Sequence, residues 1–445
     1  MTTLPRKESD SQKPLRLGLA GLGTVGVGVM RVLQTNAAMV THRAGRPIEV
    51  VAVSARDRTK ERGVNLSNVQ WCDDPLDLVL NPDVDVIVEL IGGAEGIAHK
   101  LVYAALEAEK GVVTANKALI ALYGNDLAKL AKQKNIPLLF EAAVAGGIPV
   151  IKLIREALVA DRLKKVGGIL NGTCNYILTN MAKTGRPFQE ILSETQKLGY
   201  AEADPSTDID GFDAAHKLAI LASLSFGHSV DFSGVFVEGI RDINPIDLKF
   251  AQELGYTIKL IGIAQQHEDE RIELRVHPAL LPSQSNLARV NGVTNAVITD
   301  GEFSGRLMLE GAGAGEGPTA TAVTADIIDL ARGNTVPMWG TDFTKLRPAV
   351  TIQREEFVRA YYLRLMVQDK AGVVADITAI LRDNQVSLLS LLQRGEKSIE
   401  NPDFPVPIIL VTHKTQESSL LKALEQIRNL DAVLEEPVII RIDNA

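Results

Sequence analysis

An apolar run with strand character, Leu15 to Ala20 (LRLGLA), leads straight into Gly21-Leu22-Gly23-Thr24-Val25-Gly26, and apolar residues then recur at helical spacing through Val29, Val32 and Leu33. Strand, glycine-rich turn and helix in immediate succession leave few folds open, because each glycine answers a steric demand of one arrangement. Gly21 permits the turn, Gly23 lets backbone approach a pyrophosphate, and Gly26 lets helix and strand pack closely. Thr24 and Val25 then open a helix whose N-terminus faces the phosphates. The pattern predicts a Rossmann-type parallel sheet of α/β class over residues 15–150 that binds a dinucleotide.

The second strand, Ile48 to Val53, ends in Ser54-Ala55-Arg56-Asp57-Arg58. An acidic residue at the strand end would bind the ribose 2′-hydroxyl of NAD, whereas Ser54 and Arg56 suit a 2′-phosphate. NADP(H) is therefore favoured, and Asp57 keeps use of NAD(H) open. A further buried strand, Val84 to Ile91, ends in Gly92-Gly93, and Val112 to Thr114 ends in Ala115-Asn116-Lys117. Both ends belong at the carboxyl edge of the sheet, where ligands bind in this architecture, which brings Gly92 and Lys117 toward the cofactor. Gly311 to Gly315 precedes a small-residue helix, Thr319 to Ala331, and reads as a loop that returns Gly315 to the same edge.

A second dense feature lies at Gly199 to Lys217, where Glu202, Asp204, Asp208, Asp210 and Asp213 crowd one lysine. With Asp210-Gly211 as a helix start and Asp210 as N-cap, Asp213 and Lys217 fall one turn apart on the same face. Asp208-Ile209-Asp210-Gly211 imitates a calcium loop but fails in register, because the final ligand would be Lys217 instead of a glutamate. His99, His216, His228 and His277 show no metal-ligand spacing.

These segments together resemble the homoserine dehydrogenase family: GLGTVG (21–26), TANK (114–117), EAAVAGGIP (141–149), NGTCNYIL (171–178), the acidic segment (198–221) and EGAGAGEGPTATAVTAD (310–326). The resemblance implies reduction of L-aspartate 4-semialdehyde to L-homoserine, on the shared route to threonine, methionine and isoleucine. Hydride transfer to an aldehyde leaves negative charge on oxygen, so a positioned cation able to deliver a proton is required. Lys217 and Lys117 are the candidates; the resemblance makes Lys217 the donor, and the sequence leaves the division of labour between them open. By the same resemblance Glu202 would hold the substrate ammonium group, while Asp208 and Asp213, also at the substrate-binding site, orient Lys217 and keep it charged by proximity. A monovalent cation, Na+ or K+, is implied on the backbone oxygens of Glu141, Val144, Gly146 and Ile148. A rival chemistry, acylating aldehyde oxidation, needs a cysteine nucleophile, and Cys174 is the one plausible thiol.

With 445 residues the chain is long enough for about three cores. A net charge of −8 without a basic face argues against nucleic-acid partners. The polar start (residues 1–14) reads as a disordered tail, no stretch reads as a signal peptide or membrane span, and two cysteines suit a reducing cytoplasm. Residues 151–315 are expected to form an α+β substrate and dimerisation domain, with 316–335 packing back on the nucleotide domain and 336–355 as a linker. A homodimer or homotetramer is expected.

Residues 356–445 carry their own order. Tyr361, Leu363, Leu365 and Val367 alternate onto one face, Asp369-Lys370-Ala371-Gly372 turns, and the remainder completes a β-α-β-β-α-β, ferredoxin-like sequence of elements. This tail resembles an ACT domain, which implies an amino-acid effector at Asp369, Gly372, Val373 and Val374, with L-threonine as the expected end product. On this reading the tail is separable, and a chain ending near Arg354 keeps its activity.

Overall fold

The computed structural model describes residues 13–334, 336–393 and 405–444. The expected disordered tail falls, for residues 1–12, outside them. Two sheets organise the chain. The first is parallel, in the order β3-β2-β1-β4-β5-β6, built from β1 (Leu15–Ala20), β2 (Ile48–Ser54), β3 (Gln70–Cys72), β4 (Val86–Glu89), β5 (Gly111–Thr114) and β6 (Leu138–Leu139). Strand order reverses between β1 and β4, which opens a crevice at their carboxyl ends.

The glycine turn follows the steric logic of its sequence. Gly21 has φ 101°, and a Cβ on Gly26 would lie 2.0 Å from Gly21 O, so helix Thr24–Thr35 closes on the turn only with glycine there. A Cβ on Gly23 would meet nothing within 4 Å, which leaves open space where a pyrophosphate would approach. Helix Glu316–Arg332 packs along Thr24–Thr35, with its backbone at Glu316 close to Gly28. β4 is shorter than the apolar run because its last residue, the buried Glu89, starts the turn itself. The Glu89 carboxylate accepts from Ile91 N at 2.8 Å, Gly92 N at 3.0 Å and the Thr114 hydroxyl at 2.6 Å.

The second sheet is mixed and has eleven strands. Its members are β7 (Leu163–Ile169), β9 (Tyr256–Gln266), β10 (Ile272–Pro282), β11 (Thr294–Gly301), β12 (Gly305–Ala312), β13 (Val358–Val367), β14 (Leu388–Gln393), β15 (Val406–Thr412) and β17 (Val438–Ile442), with the short β8 (Phe236–Val237) on β10 and β16 (Thr415–Gln416) on β13. The order is β12-β11-β7-β9-β10-β17-β13-β15-β14. Helix Phe212–Phe226 is buried along most of its length across β7, β9 and β10.

The tail has the β-α-β-β-α-β order, and Tyr361, Leu363, Leu365 and Val367 pack with Val373, Ile377, Leu420 and Ile427 in a core of their own. It is nevertheless continuous with the rest. β17 pairs in parallel with β10 through Ala279↔Arg441 and Leu280↔Ile442, and ion pairs cross the same line: Arg275 with Asp443 at 2.6 Å, Arg364 with Asp247 at 2.8 Å, and Arg441 with Glu238 at 2.9 Å. Alternation along a strand reveals one buried face and says nothing of a neighbour at the sheet's edge.

One local expectation is corrected. The helix bearing Asp213 and Lys217 starts at Phe212, and its cap is Gly211 at φ 90°, without a side-chain bond. Asp210 instead ends the one-turn helix Ser206–Ile209 and pairs with Arg241. The turn is held from outside: Ile240 N donates to Ile209 O at 2.9 Å, and the Gly239 backbone lies against Asp210.

Candidate active site

A cavity of about 940 Å³ lies between the two sheets. Of the predicted residues, Val25, Lys117, Gly146, Glu202, Asp208, Asp213, Lys217 and Gly315 line it, so the glycine turn, the acidic segment and the late glycine loop converge. Gly21, Gly23, Thr24, Gly26, Arg56 and Gly92 do not line it. Gly92 and Arg56 follow β4 and β2, at the carboxyl edge of the nucleotide sheet.

Asp213 is the centre. It is 5% exposed, and its two oxygens serve both lysines: Oδ2 lies 2.7 Å from Lys217 Nζ and Oδ1 lies 3.2 Å from Lys117 Nζ. Burial opposes its charge, but the two ammonium groups overcome that and hold Asp213 well below the usual carboxylate range. Lys217, 8% exposed, gives a second hydrogen bond to Leu170 O at 2.7 Å and is fixed from two sides. Lys117 is the more open, and Asp213 raises its pKa against the effect of burial. It is the first residue of helix Lys117–Lys134, where Asn116 caps by accepting from Leu119 N at 3.1 Å and donates to Gly93 O at 2.6 Å. Burial first, and the charge of Asp213 second, push Asp208 up. Glu202 is exposed at the cavity wall. The neighbouring His216 is pushed down to about 4, chiefly by burial, so it brings no charge at neutral pH.

Cys174 is fully enclosed. Its thiol donates to Asp208 O at 3.2 Å and burial raises its pKa, both of which disfavour the thiolate that a nucleophile requires.

Two of the four carbonyls implied for a cation are open to one. Val144 and Gly146 are buried, and their carbonyls find no hydrogen-bond donor among the described residues. Ala145 and Gly146 are both left-handed, at φ 56° and 53°, and a Cβ on Gly146 would sit 2.5 Å from Gly313 O. Glu141 O and Ile148 O already accept from Val144 N and Val150 N. The Glu141 side chain faces the other way, accepting from Ile151 N and Lys152 N, and burial beside Asp326 pushes it up to about 7. Among the described residues no group of three or more His, Cys, Asp or Glu is placed to hold a metal.

The dinucleotide also fits. Besides the open space at Gly23, Ser54 Oγ at the end of β2 is buried without a partner. Arg56, two residues on, is exposed. In the tail, Gly372 is left-handed at φ 99° and starts helix Val373–Asp383, and Asp369 and Gly372 are exposed. Val373 turns its side chain into the core, and its backbone N–H donates to Lys370 O at 3.5 Å.

Residues outside the predicted set shape the site as well: Glu89, Asn116, Asn171 and Asn295. The two asparagines 116 and 171 each precede a helical run, which is an N-cap signal. Asn295, whose Nδ2 donates to Leu170 O at 3.0 Å, has no local signal; a Cβ on Gly313 would collide with it.

Sequence and fold comparisons agree with this geometry. A family profile described as homoserine dehydrogenase matches residues 149–328, its NAD binding domain matches 21–141, and an ACT domain matches 361–432. The chain is 44% identical to the homoserine dehydrogenase of Pseudomonas aeruginosa over 437 residues, covering 97% of this chain and 99% of that one. It is 42% identical to that of Neisseria gonorrhoeae, at 97% and 99% coverage. A homoserine dehydrogenase structure from Thiobacillus denitrificans superposes with a TM-score of 0.91 at 43% identity, covering 97% and 99% of the two chains. A hyperthermophilic archaeal homoserine dehydrogenase in complex with NADPH gives 0.61 at 27% identity, covering 71% of this chain and 97% of that one.

Proposed function

The chain belongs to the homoserine dehydrogenase family, and from that membership we propose that it interconverts L-aspartate 4-semialdehyde and L-homoserine with NADP(H) preferred, on the route to threonine, methionine and isoleucine. The observation that carries the proposal is the convergence of Lys117, Lys217 and Asp213 in one cavity with Val25, the residue of the glycine turn that reaches it. The nicotinamide cofactor, when bound, supplies or accepts the hydride. The chain's own work is to hold the substrate and manage one proton. Lys217, aimed by Leu170 O and Asp213, donates that proton to the aldehyde oxygen, and Lys117 stabilises the developing charge beside it. Glu202 and Asp208 face the substrate's ammonium group. Val144 and Gly146 carbonyls would hold a monovalent cation that stiffens the loop under the cavity.

NADP preference rests on Ser54 and Arg56 in place of an acid, and the archaeal relative bound to NADPH is in keeping with it. The test is absorbance of reduced nicotinamide during L-homoserine oxidation, with NADP and with NAD. Arg56→Ala should weaken NADP use and leave NAD use little altered; equal losses would make Arg56 structural. The exposed turn at Asp369–Gly372 is proposed to bind an amino acid, L-threonine first, in a homodimer or homotetramer. Asp369→Ala should then relieve threonine inhibition with turnover retained, and a parent enzyme indifferent to threonine would refute that assignment.

A further inference from the structure

Asn171 is 4% exposed, and its amide makes three hydrogen bonds. Oδ1 accepts from Cys174 N at 2.8 Å and caps helix Gly172–Thr184. The oxygen must therefore face the helix, which turns the amide nitrogen the other way, and that nitrogen donates to Asp208 Oδ1 and Asp213 Oδ2, each at 2.8 Å. The two carboxylates belong to different elements, the Ser206–Ile209 turn and the Phe212–Phe226 helix.

The lysines do not share their bonds evenly. Lys217 and Lys117 both bond Asp213, whereas Asn171 is the one hydrogen-bond donor to the Asp208 carboxylate among the described residues. The groups facing Asp208 are Asp213 and Lys217 from helix Phe212–Phe226, Lys117 from helix Lys117–Lys134, and Asn171 with the Cys174 thiol from the start of helix Gly172–Thr184. Without the amide, Asp208 would stand half-buried beside the Asp213 carboxylate with no donor of its own.

We propose that Asn171 is a positioning residue for the reaction: a helix cap whose amide bridges Asp208 and Asp213 and keeps both ionised at the spacing that substrate and Lys217 require. This rests on the dehydrogenase reading of the cavity. The bridge lowers the pH at which Asp208 ionises, so its loss moves that ionisation upward.

Cap and bridge are separable by substitution. Asp and Ser both cap helices, so both retain the bond to Cys174 N; the single hydroxyl proton of Asn171→Ser, on a shorter stem, cannot bridge two carboxylates, Asn171→Asp replaces the donor with a third carboxylate, and Asn171→Ala loses cap and bridge alike. Each is assayed in the full-length enzyme for L-homoserine oxidation across pH, with melting temperature and NADP affinity measured alongside. Asn171→Ser should melt close to the parent, and both capping variants should bind NADP equally well, lose roughly 10- to 100-fold in kcat/KM, the range for a bond to a charged group, and move the acid limb of the pH profile upward, Asn171→Asp further and with a lower melting temperature because it adds a third carboxylate. An unchanged acid limb in both, or activity losses that merely follow the melting temperature in all three, overturns the bridge. A parent that oxidises no L-homoserine overturns the dehydrogenase reading, and the inference with it; an active parent with unaltered variants overturns the inference alone.

Discussion

The two lysines share Asp213 but not its constraint. Lys217 is enclosed and bonded on two sides, whereas Lys117 has Asp213 on one side and the cavity on the other. Methionine at either position keeps the stem and removes charge and proton. Lys217→Met should lower kcat on the order of 10²-fold or more, with NADP binding retained. Lys117→Met should also lose turnover, but with the larger effect on substrate affinity, because its ammonium group is the one free to meet a ligand. Steady-state kinetics in both directions would check the division. A Lys217→Met enzyme with near-parental kcat would remove that residue from proton transfer, and the reverse pattern would exchange the two roles. Burial separates these two lysines, and spacing along the chain does not.

At the scale of elements, the glycine turn was legible because each glycine meets a local steric demand. Gly26→Ala would place Cβ 2.0 Å from Gly21 O, a backbone atom with nowhere to move. Binding of NADP and NAD should both fall by at least an order of magnitude, with a lower melting temperature, as read by cofactor titration; affinity equal to the parent's would show that the turn tolerates a side chain. The acidic segment was legible in its carboxylates but not in its start. Asp210 has the residue type of an N-cap, yet Gly211 takes the cap position because Gly239 and Ile240 hold the preceding turn from outside. Caps at Asn116 and Asn171 were within reach of the same reasoning, whereas their second bonds, to Gly93 O and to two carboxylates, depend on distant segments. Asn295 reaches Leu170 O across 125 residues, and no local pattern encodes that contact.

For the whole molecule, the tail was legible as a fold and not as a neighbour. Its β17 completes the edge of β10, and Asp443 joins Arg275, 1% exposed, and lies 3.7 Å from Lys165 on β7. Burial alone would raise Asp443, but Arg275 and Lys165 hold it down to about 2. A carboxylate depressed in this way contributes stability that is present above its ordinary pKa near 4 and is lost as pH falls toward 2. Asp443→Asn should therefore cost about 3 kcal/mol near pH 7, where it leaves a buried guanidinium short of a partner. The gap to the parent in urea unfolding should narrow as pH falls from 5 to 3, and a gap independent of pH would assign the loss to packing. A cut at Arg354 goes further. It bares Ala279 and Leu280 on β10 and strands Asp247, fully buried against Arg364 and Tyr362. Reading the tail as separable predicts an active truncated enzyme; the continuous sheet predicts a chain that aggregates or melts at least ~10 °C lower, since uncompensated buried charge and a bare strand edge act together. Thermal melts of the truncated and full-length chains decide between them, and equal melting temperatures with equal turnover would show that β17 rests on β10 without supporting it.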